Sequence, residues 1–237
     1  MSPYLEINCD LGEGFSNDEE IMPLIDACNI ACGGHAGNDK SIRKTIQLAK
    51  EQEVKIGVHP SFPDILNFGR KRLDLPFSTL RQGILLQLYL FKHIADQEEV
   101  KINHLKLHGA LYNMAAEDTE MAKSVIKIIK EANFSGTIYA PAKSALAAFA
   151  KSDYDIVEEV FLDRAYNTDL SLVSRDLKGA VYQDKELVWE QYVRFKDHQS
   201  VKTINGEVKV IKAKTACIHG DTPNAVEQLK YIRENLE

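Results

Sequence analysis

The chain has 237 residues, of which 44% are hydrophobic and 27% are charged, and its formal net charge is −6. This composition is ordinary for a soluble globular protein, and the length predicts one domain spanning residues 1–237. The acidic balance argues against binding to a nucleic-acid backbone, no apolar run reaches the ~18 residues of a membrane span, and the start of the chain lacks a secretory pattern, so we expect a cytoplasmic protein.

Seven short apolar runs predict β-strands along the chain. Runs of this kind are typical of strands that are covered on both faces. Several of the segments between them carry apolar residues at helical spacing, and this alternation predicts a parallel sheet with helices outside it. The predicted strands cover residues 5–10, 27–32, 54–59, 104–108, 137–140, 157–162 and 215–219.

Local signals place the ends of two helices and one hairpin. Asn38 or Asp39 can cap the helix that follows them, and Pro223 suits the first turn of the C-terminal helix. Residues near 201–212 predict a β-hairpin, because Asn205-Gly206 supplies the positive φ angles of a tight turn. We interpret this hairpin as an insertion before the last strand of the sheet.

The cysteine pattern gives no metal or disulfide framework. None of the four cysteines forms a CxxC pair, and Cys28 and Cys32 have no second pair to complete a zinc site. We therefore interpret the cysteines as small buried hydrophobic residues in a reducing compartment.

Histidines and aspartates follow the predicted strands at their carboxyl ends. In a closed parallel barrel these ends open on one face, where active sites gather. Residues far apart in sequence are therefore expected to meet in one cavity, whereas His93, His104 and His198 are interpreted as structural or surface residues. The strand-end residues are Asn8, Asp10, His35, His59, His108, Asp163, Arg164, His219 and Asp221.

The glycine-rich segment around His35 precedes a helix. Gly33 and Gly34 stand before His35, and free backbone amides at a helix N-terminus can bind an anion, with Lys40 adding positive charge. The segment is not a P-loop, and the chain contains no recognised nucleotide-binding motif.

Two interpretations of the polar cluster stay open at this level. Asp10, His35 and His59 could hold a divalent metal, or they could form a metal-free acid–base network, and the sequence requires no tightly bound metal. Arg70 could bind a substrate carboxylate, or it could be a solvated surface residue.

A series of motifs resembles the LamB/YcsF family, whose members are described as the A subunit of a prokaryotic ATP-dependent 5-oxoprolinase. The blocks occur in order from residue 8 to residue 223, so the resemblance covers nearly the whole chain. They are Asn8-Cys9-Asp10-Leu11-Gly12-Glu13-Gly14-Phe15, Asn29-Ile30-Ala31-Cys32-Gly33-Gly34-His35-Ala36-Gly37, His59-Pro60-Ser61-Phe62-Pro63-Asp64, Phe68-Gly69-Arg70, Lys106-Leu107-His108-Gly109-Ala110-Leu111-Tyr112-Asn113, Asp163-Arg164-Ala165-Tyr166, Leu172-Val173-Ser174-Arg175 and Ile218-His219-Gly220-Asp221-Thr222-Pro223.

The resemblance implies a seven-stranded parallel β/α barrel like that of carbohydrate deacetylases. It also implies ATP-driven opening of 5-oxo-L-proline to L-glutamate in complex with partner subunits B and C, with ATP, accompanied by Mg²⁺, as the cofactor. Two departures from the family pattern stand out. Gly34 replaces a bulky aromatic residue, which predicts a more open wall beside His35, and Leu107 replaces a proline.

For a reaction of this kind, we assign hypothetical roles to individual residues. Asp10 or His59 would be the general base, His35 with the glycine amides would stabilise an oxyanion, and His108 would protonate the leaving nitrogen. Lys106 is expected to point into the barrel and to need Asp10 or Glu13 as a partner. The other expected site residues are Asp163 and Asp221 to orient the histidines, His219 as a further catalytic group, Arg164 or Arg70 on the substrate carboxylate, and Asn8, Glu13, Gly33, Gly34 and Lys106 in substrate binding.

Two alternative functions are kept beside this one. The chain could be a metal-dependent deacetylase or other amidohydrolase that acts alone. It could also be a non-catalytic subunit that binds the lactam while its partners perform the chemistry.

Overall fold

A computed structural model describes residues 4–236 of the chain. Seven parallel strands close into a barrel in the order β1-β2-β3-β4-β5-β6-β9, with β9 pairing both β6 and β1. The predicted fold class, an α/β protein with a seven-stranded parallel barrel, is confirmed. The strands are β1 (Glu6–Leu11), β2 (Ala27–Ala31), β3 (Lys55–His59), β4 (His104–Lys106), β5 (Thr137–Pro141), β6 (Ile156–Phe161), β7 (Ser200–Lys202), β8 (Val208–Val210) and β9 (Thr215–His219).

Helices cover the outside of the barrel. They are α1 (Asp18–Ile21), α2 (Asp39–Glu51), α3 (Phe77–Gln97), α4 (Gly109–Glu117), α5 (Thr119–Glu131), α6 (Ala145–Ala150), α7 (Lys185–His198) and α8 (Ala225–Glu234), with a 3₁₀ turn at Met22–Leu24.

The caps of two helices show where the sequence signals were right and wrong. Asn38 is the N-cap of α2, and its side chain exchanges capping-box hydrogen bonds with Ser41. Pro223 is not in the first turn of α8, because that helix begins after Asn224. Pro223 instead belongs to the turn in which the Ala225 amide donates to the Thr222 carbonyl oxygen.

The inserted hairpin forms as predicted. Ser200–Lys202 and Val208–Val210 pair in antiparallel fashion, and Gly206 in the turn has a φ of 84°. The hairpin is a separate two-stranded sheet between α7 and β9, so the barrel closes without it.

The apolar core lies between the barrel and its helices, and the four cysteines belong to it. They are buried and unpaired, and burial raises the pKa of the Cys28 thiol to about 12, which makes it unreactive at neutral pH. Along residues 4–236, every helix is too short or too polar to cross a membrane. The single-domain organisation and the cytoplasmic location stay predictions.

Candidate active site

The carboxyl ends of the barrel strands surround a cavity of about 470 Å³. It receives side chains from five strands or the residues that follow them, as the alternation of strands and helices predicts. Four of the predicted acid–base groups line it, together with four basic residues. These are Asp10, His59, His108 and His219, and Arg70, Lys106, Arg164 and Arg175.

The other predicted residues lie around this cavity rather than in its wall. His35 and Glu13 lie behind His59 and His108, and Asn8 lies deeper in the barrel. Asp163 lies beneath His219, where its carboxylate accepts from Nδ1 of His219 at 2.9 Å.

Lys106 points into the barrel, as its place on the strand predicts. Its Nζ atom lies 3.0 Å from Oδ1 of Asp10 and 3.0 Å from Oε1 of Glu159, and its side chain is 2% exposed. Burial favours the neutral amine, but Asp10, Cys217 and Glu159 outweigh it and raise the pKa of Lys106 well above its usual value. Lys106 is therefore a buried ammonium group.

Glu159 on β6 is a partner of Lys106 that sequence reasoning missed. Its Oε2 atom accepts from the Tyr112 hydroxyl at 2.6 Å, and its Oε1 atom accepts from the Asn8 amide at 2.9 Å. The signal that could have found it is the alternation of the strand, because one of the two adjacent glutamates, Glu158 and Glu159, must point into the barrel and needs a partner there.

Asn8 and Asp10 project inward from alternate positions of β1, and a neighbouring strand holds them in place. The Asn29 amide donates to Oδ1 of Asp10 and to Oδ1 of Asn8, both at 2.8 Å. His104 lies within hydrogen-bond distance of Oδ1 of Asn29 at 2.8 Å and stacks on Tyr139, which agrees with its predicted structural role.

Asp10 is ionised despite its burial. Burial raises the pKa of this carboxyl group, but the positive charges of His59 and Lys106 and a hydrogen bond to His59 hold its pKa well below the usual range. Oδ2 of Asp10 lies 3.3 Å from Nε2 of His59. Asp10 therefore presents a carboxylate to the cavity.

Backbone carbonyls determine the orientation of His59 and His108. Nδ1 of His59 donates to the Lys106 carbonyl oxygen at 2.8 Å, and Nε2 of His108 donates to the Phe68 carbonyl oxygen at 3.0 Å. The remaining nitrogens, Nε2 of His59 and Nδ1 of His108, face each other at 3.0 Å. Two lone pairs repel at this distance, so a proton on His59, beside the Asp10 carboxylate, joins the two rings.

His35 forms a second buried pair with Glu13. Nε2 of His35 lies 2.9 Å from Oε1 of Glu13, and Nδ1 of His35 lies 3.0 Å from the Ser61 hydroxyl oxygen. Burial and the charge of His59 lower the pKa of His35 to about 2, so that its imidazole is neutral. Burial and the neighbouring Asp10 raise the pKa of Glu13 well above its usual value, so a protonated Glu13 can donate to His35.

Two backbone amides of the predicted anion site at the start of α2 take part in local hydrogen bonds. The Gly33 amide donates to the Ala36 carbonyl oxygen at 2.7 Å, and the Ser41 amide donates to the Asn38 side chain at 3.1 Å. Gly33 and Gly34 also lie outside the wall of the cavity. The role expected for the Gly33 amide in binding an oxyanion or substrate is therefore not supported by the geometry, since a local turn uses this amide, and the role expected for Gly34 stays a prediction.

The wall beside His35 is not open, contrary to the expectation from Gly34. A Cβ atom on Gly34 would lie 2.3 Å from Oε1 of Gln87 and 2.3 Å from the Ser61 hydroxyl oxygen. Gln87 is buried and makes two hydrogen bonds to the backbone of Ser61. Its Oε1 atom accepts from the Ser61 amide, and its Nε2 atom donates to the Ser61 carbonyl oxygen. The volume of the expected aromatic side chain is therefore taken by Gln87 and Ser61.

Asp221 does not contact a histidine, although it was expected to orient one. Its carboxylate pairs with Arg70, and Nη1 of Arg175 lies 3.8 Å from it. Arg164 is buried, and its Nε and Nη2 atoms donate to the carbonyl oxygens of Ala180 and Val173 at 3.3 Å and 2.6 Å. Arg175 is thus a cavity arginine that the residue-by-residue prediction missed, although it lies in one of the motifs that resemble the family.

This arrangement suits acid–base chemistry on a small anionic molecule. A carboxylate, Asp10, lies next to two hydrogen-bonded imidazoles, so a proton can be taken up at one of these groups and released at another. Arg70 and Arg175 supply positive charge at the wall of the same cavity.

Known proteins resemble this chain over almost its whole length. The sequence profile of the LamB/YcsF family matches residues 5–237. A 5-oxoprolinase A subunit from Pyrococcus horikoshii is 39% identical over 239 residues, which cover 98% of this chain and 94% of that protein. The 5-oxoprolinase A subunit from Pyrococcus abyssi is also 39% identical, with the same coverage.

Solved structures agree with this relationship. The crystal structure of a lactam utilization protein from Thermus thermophilus has a TM-score of 0.90 and 31% identity, and the match covers 98% of this chain and 95% of that one. A family 4 carbohydrate esterase from Streptomyces lividans has a TM-score of 0.52 at 9% identity, which shows a shared barrel fold alone. The chain belongs to the LamB/YcsF family.

Proposed function

We propose that this chain is the A subunit of an ATP-dependent 5-oxoprolinase, which opens 5-oxo-L-proline to L-glutamate together with partner subunits B and C. The observation that carries the proposal is the meeting of Asp10, His59 and His108 with cavity arginines in one pocket. The names of the Pyrococcus relatives and of the Thermus protein supply the substrate class.

The chemistry of a five-membered lactam explains the need for ATP. An unactivated amide is a poor electrophile. Phosphorylation of its oxygen makes the ring carbonyl carbon electrophilic enough for water to attack it. The carbon–nitrogen bond then breaks, the nitrogen takes a proton, and a second water releases phosphate from the resulting acyl phosphate. ATP, with its Mg²⁺, is a co-substrate in this scheme.

In this mechanism Asp10 removes a proton from the attacking water, while His59, which already carries a proton on Nε2, supplies that proton to His108. Lys106 keeps Asp10 ionised through the 3.0 Å contact between Nζ and Oδ1. His108, 3.0 Å from Nε2 of His59, passes a proton toward the leaving nitrogen. Asp163 holds His219 at the cavity wall through two contacts of 2.9 Å.

The substrate carboxylate is assigned to the arginines at the rim. Arg70 and Arg175 both line the cavity, and both lie near the single carboxylate of Asp221. A second carboxylate, that of the lactam, fits between two guanidinium groups of this kind. Arg164 supports this wall through its bonds to the backbone rather than binding the substrate directly.

The test is a reconstituted assay that counts glutamate and ADP together. The complete complex is expected to form both products from 5-oxoproline, and omission of this chain is expected to abolish glutamate formation. Asp10→Ala is expected to lower turnover by about 10²–10⁴-fold, as for the loss of a general base. Asp96→Ala, which removes an exposed carboxylate of α3, is the matched control.

Two results would contradict the proposal in different ways. Absence of glutamate from the complete wild-type complex would exclude the proposed reaction. Full activity of Asp10→Ala in an intact complex would leave the reaction standing but would exclude the proposed site.

A further inference from the structure

Four buried ligand atoms converge behind the wall of the cavity. They are Oε1 of Glu13, Nε2 of His35, Nε2 of His59 and Nδ1 of His108, and all lie within 4.8 Å of one another. The four side chains are at most 4% exposed. This donor set differs from the one expected from sequence, in which Asp10 accompanied His35 and His59.

Asp10 lies outside this set of mutually close ligand atoms, although its Oδ2 atom is 3.3 Å from Nε2 of His59. Its Oδ1 atom accepts from Lys106 at 3.0 Å and from the Asn29 amide at 2.8 Å. Glu13 faces imidazoles instead, with Oε1 2.9 Å from Nε2 of His35 and 3.6 Å from Nδ1 of His108. The carboxylate of the cluster is therefore that of Glu13.

Each histidine donates its other ring proton to a protein oxygen. His59 donates to the Lys106 carbonyl oxygen, and His108 donates to the Phe68 carbonyl oxygen. The Ser61 hydroxyl donates to the Phe62 carbonyl oxygen at 2.8 Å, which leaves the Ser61 oxygen to accept from Nδ1 of His35. Such bonds commonly support metal-binding histidines, because they fix the tautomer and the ring orientation.

The consequence is that the second nitrogen of each imidazole and one carboxylate oxygen lie close together in one buried space. Nε2 of His59 and Nδ1 of His108 are 3.0 Å apart, and Nε2 of His35 and Oε1 of Glu13 are 2.9 Å apart. Without a cation, the cluster needs one extra proton in each pair to avoid repulsion between acceptors. One divalent cation satisfies all four acceptors at once.

We propose that Glu13, His35, His59 and His108 form a binding site for a divalent transition-metal ion of the zinc type. Imidazole ligands favour zinc and its neighbours over magnesium. Tetrahedral zinc with nitrogen ligands separates its ligand atoms by about 3.3–3.5 Å, close to the spacings in this cluster. The His35 and His108 rings stack with centroids 3.6 Å apart, so metal binding requires them to tilt from this parallel arrangement.

The site would lie directly beside the proposed catalytic cavity, because His59 and His108 belong to both, and in the metal-bound form these two imidazoles are ligands, which leaves Asp10 as the group that transfers protons. A cation in this position can polarise an amide oxygen or a water molecule. The inference goes beyond the proposed function, since the metal site stands on its donor geometry whether or not the substrate is a lactam. Its test therefore measures metal binding and not turnover.

The experiment uses the full chain, stripped with a chelator and titrated with ZnCl₂ in equilibrium dialysis with elemental analysis. One zinc ion per chain is expected in the wild type. His108→Gln and Glu13→Gln are expected to weaken binding by about tenfold or more, as is Ser61→Ala, which removes the hydroxyl that accepts from His35 and keeps all four ligands. Co²⁺ in place of Zn²⁺ should give the visible absorption of a tetrahedral site.

Ser61→Ala keeps the test decisive if a variant of a buried ligand fails to fold, which circular dichroism would reveal. His93→Gln, an exposed histidine of α3, and His104→Gln, a buried histidine outside the cluster, are the controls and should bind zinc as the wild type does. Two results would overturn the proposal: the wild type binds no zinc, or Ser61→Ala and the wild type bind zinc with equal affinity. Either result would indicate that protons, and not a metal ion, bridge the four acceptor atoms.

Discussion

The ammonium group of Lys106 and the carboxylate of Asp10 form a buried ion pair inside the barrel, with Nζ and Oδ1 3.0 Å apart. The two residues come from β4 and β1, which are not neighbours in the sheet, so the contact crosses the barrel interior. This ion pair stabilises the ionised state of Asp10, and a second carboxylate, Glu159, also pairs with Lys106.

Replacing Lys106 should therefore destabilise the fold strongly. Lys106→Met leaves two carboxylates buried without their cation, and loss of one partner of such a pair typically costs about 3–5 kcal/mol in the free energy of unfolding. Denaturant unfolding of both proteins measures this difference. Lys55→Met, which breaks a pair between Lys55 and Glu6 at the surface, should cost at most about 1 kcal/mol. Equal losses in the two variants would contradict this account.

Asp163 should make stability depend on pH in the acid range. Burial raises the pKa of Asp163, but His219, Arg175 and Arg164 outweigh it and hold the pKa below its usual value. A lowered pKa in the folded state adds stability above the unfolded pKa of about 3.9, and this stability disappears as the pH falls through the folded pKa. Asp163→Asn should therefore lower the free energy of unfolding most above about pH 4, and progressively less below that pH.

Unfolding in denaturant across a pH series, with both proteins at each pH, checks this prediction. At neutral pH the loss should be about 1.5–3 kcal/mol, because Asp163 accepts charged or buried hydrogen bonds from His219 and Thr222. A difference that stays constant down to strongly acid pH would show that the carboxylate charge is not responsible.

Arg175 should affect substrate affinity more than turnover in the proposed reaction. Arg175→Gln removes a guanidinium group from the cavity wall, and a charged hydrogen bond of about 1.5–3 kcal/mol corresponds to a rise in KM of about tenfold or more. Steady-state kinetics of the reconstituted complex with 5-oxoproline separates KM from kcat. Arg194→Gln, which changes an arginine that pairs with Glu190 on α7, should leave both constants unchanged.

Gly34 should not tolerate a larger side chain. A Cβ atom there would overlap Gln87 and Ser61, and overpacking of this kind costs about 1–3 kcal/mol, so Gly34→Ala should lower the midpoint of thermal unfolding. Gly83→Ala is the matched control, because its Cβ would make ordinary contact with Pro63 at 3.4 Å inside α3 and should stabilise the helix. A neutral or stabilising Gly34→Ala would mean that Gln87 can move aside.

The amino-acid sequence by itself determined the barrel strands and the face on which the site forms. Short apolar runs set the strands, and period-two alternation turned Asp10 and Lys106 inward, because successive side chains of a strand point to opposite faces. Local hydrogen-bonding chemistry likewise predicted the Asn38 cap and the Asn205-Gly206 turn, since both depend on residues close together in the chain.

Only the tertiary structure decided which of these residues contact each other. Three pairs of side chains show this. Glu13 contacts His35 at a separation of 22 positions, Arg70 contacts Asp221 at 151 positions, and Lys106 contacts Glu159 at 53 positions. Such pairings depend on the closure of the barrel and on the paths of its loops, and strand periodicity contains neither. The crowding around Gly34 has the same origin, because Gln87 belongs to α3 and packs against Gly34 only in the folded barrel.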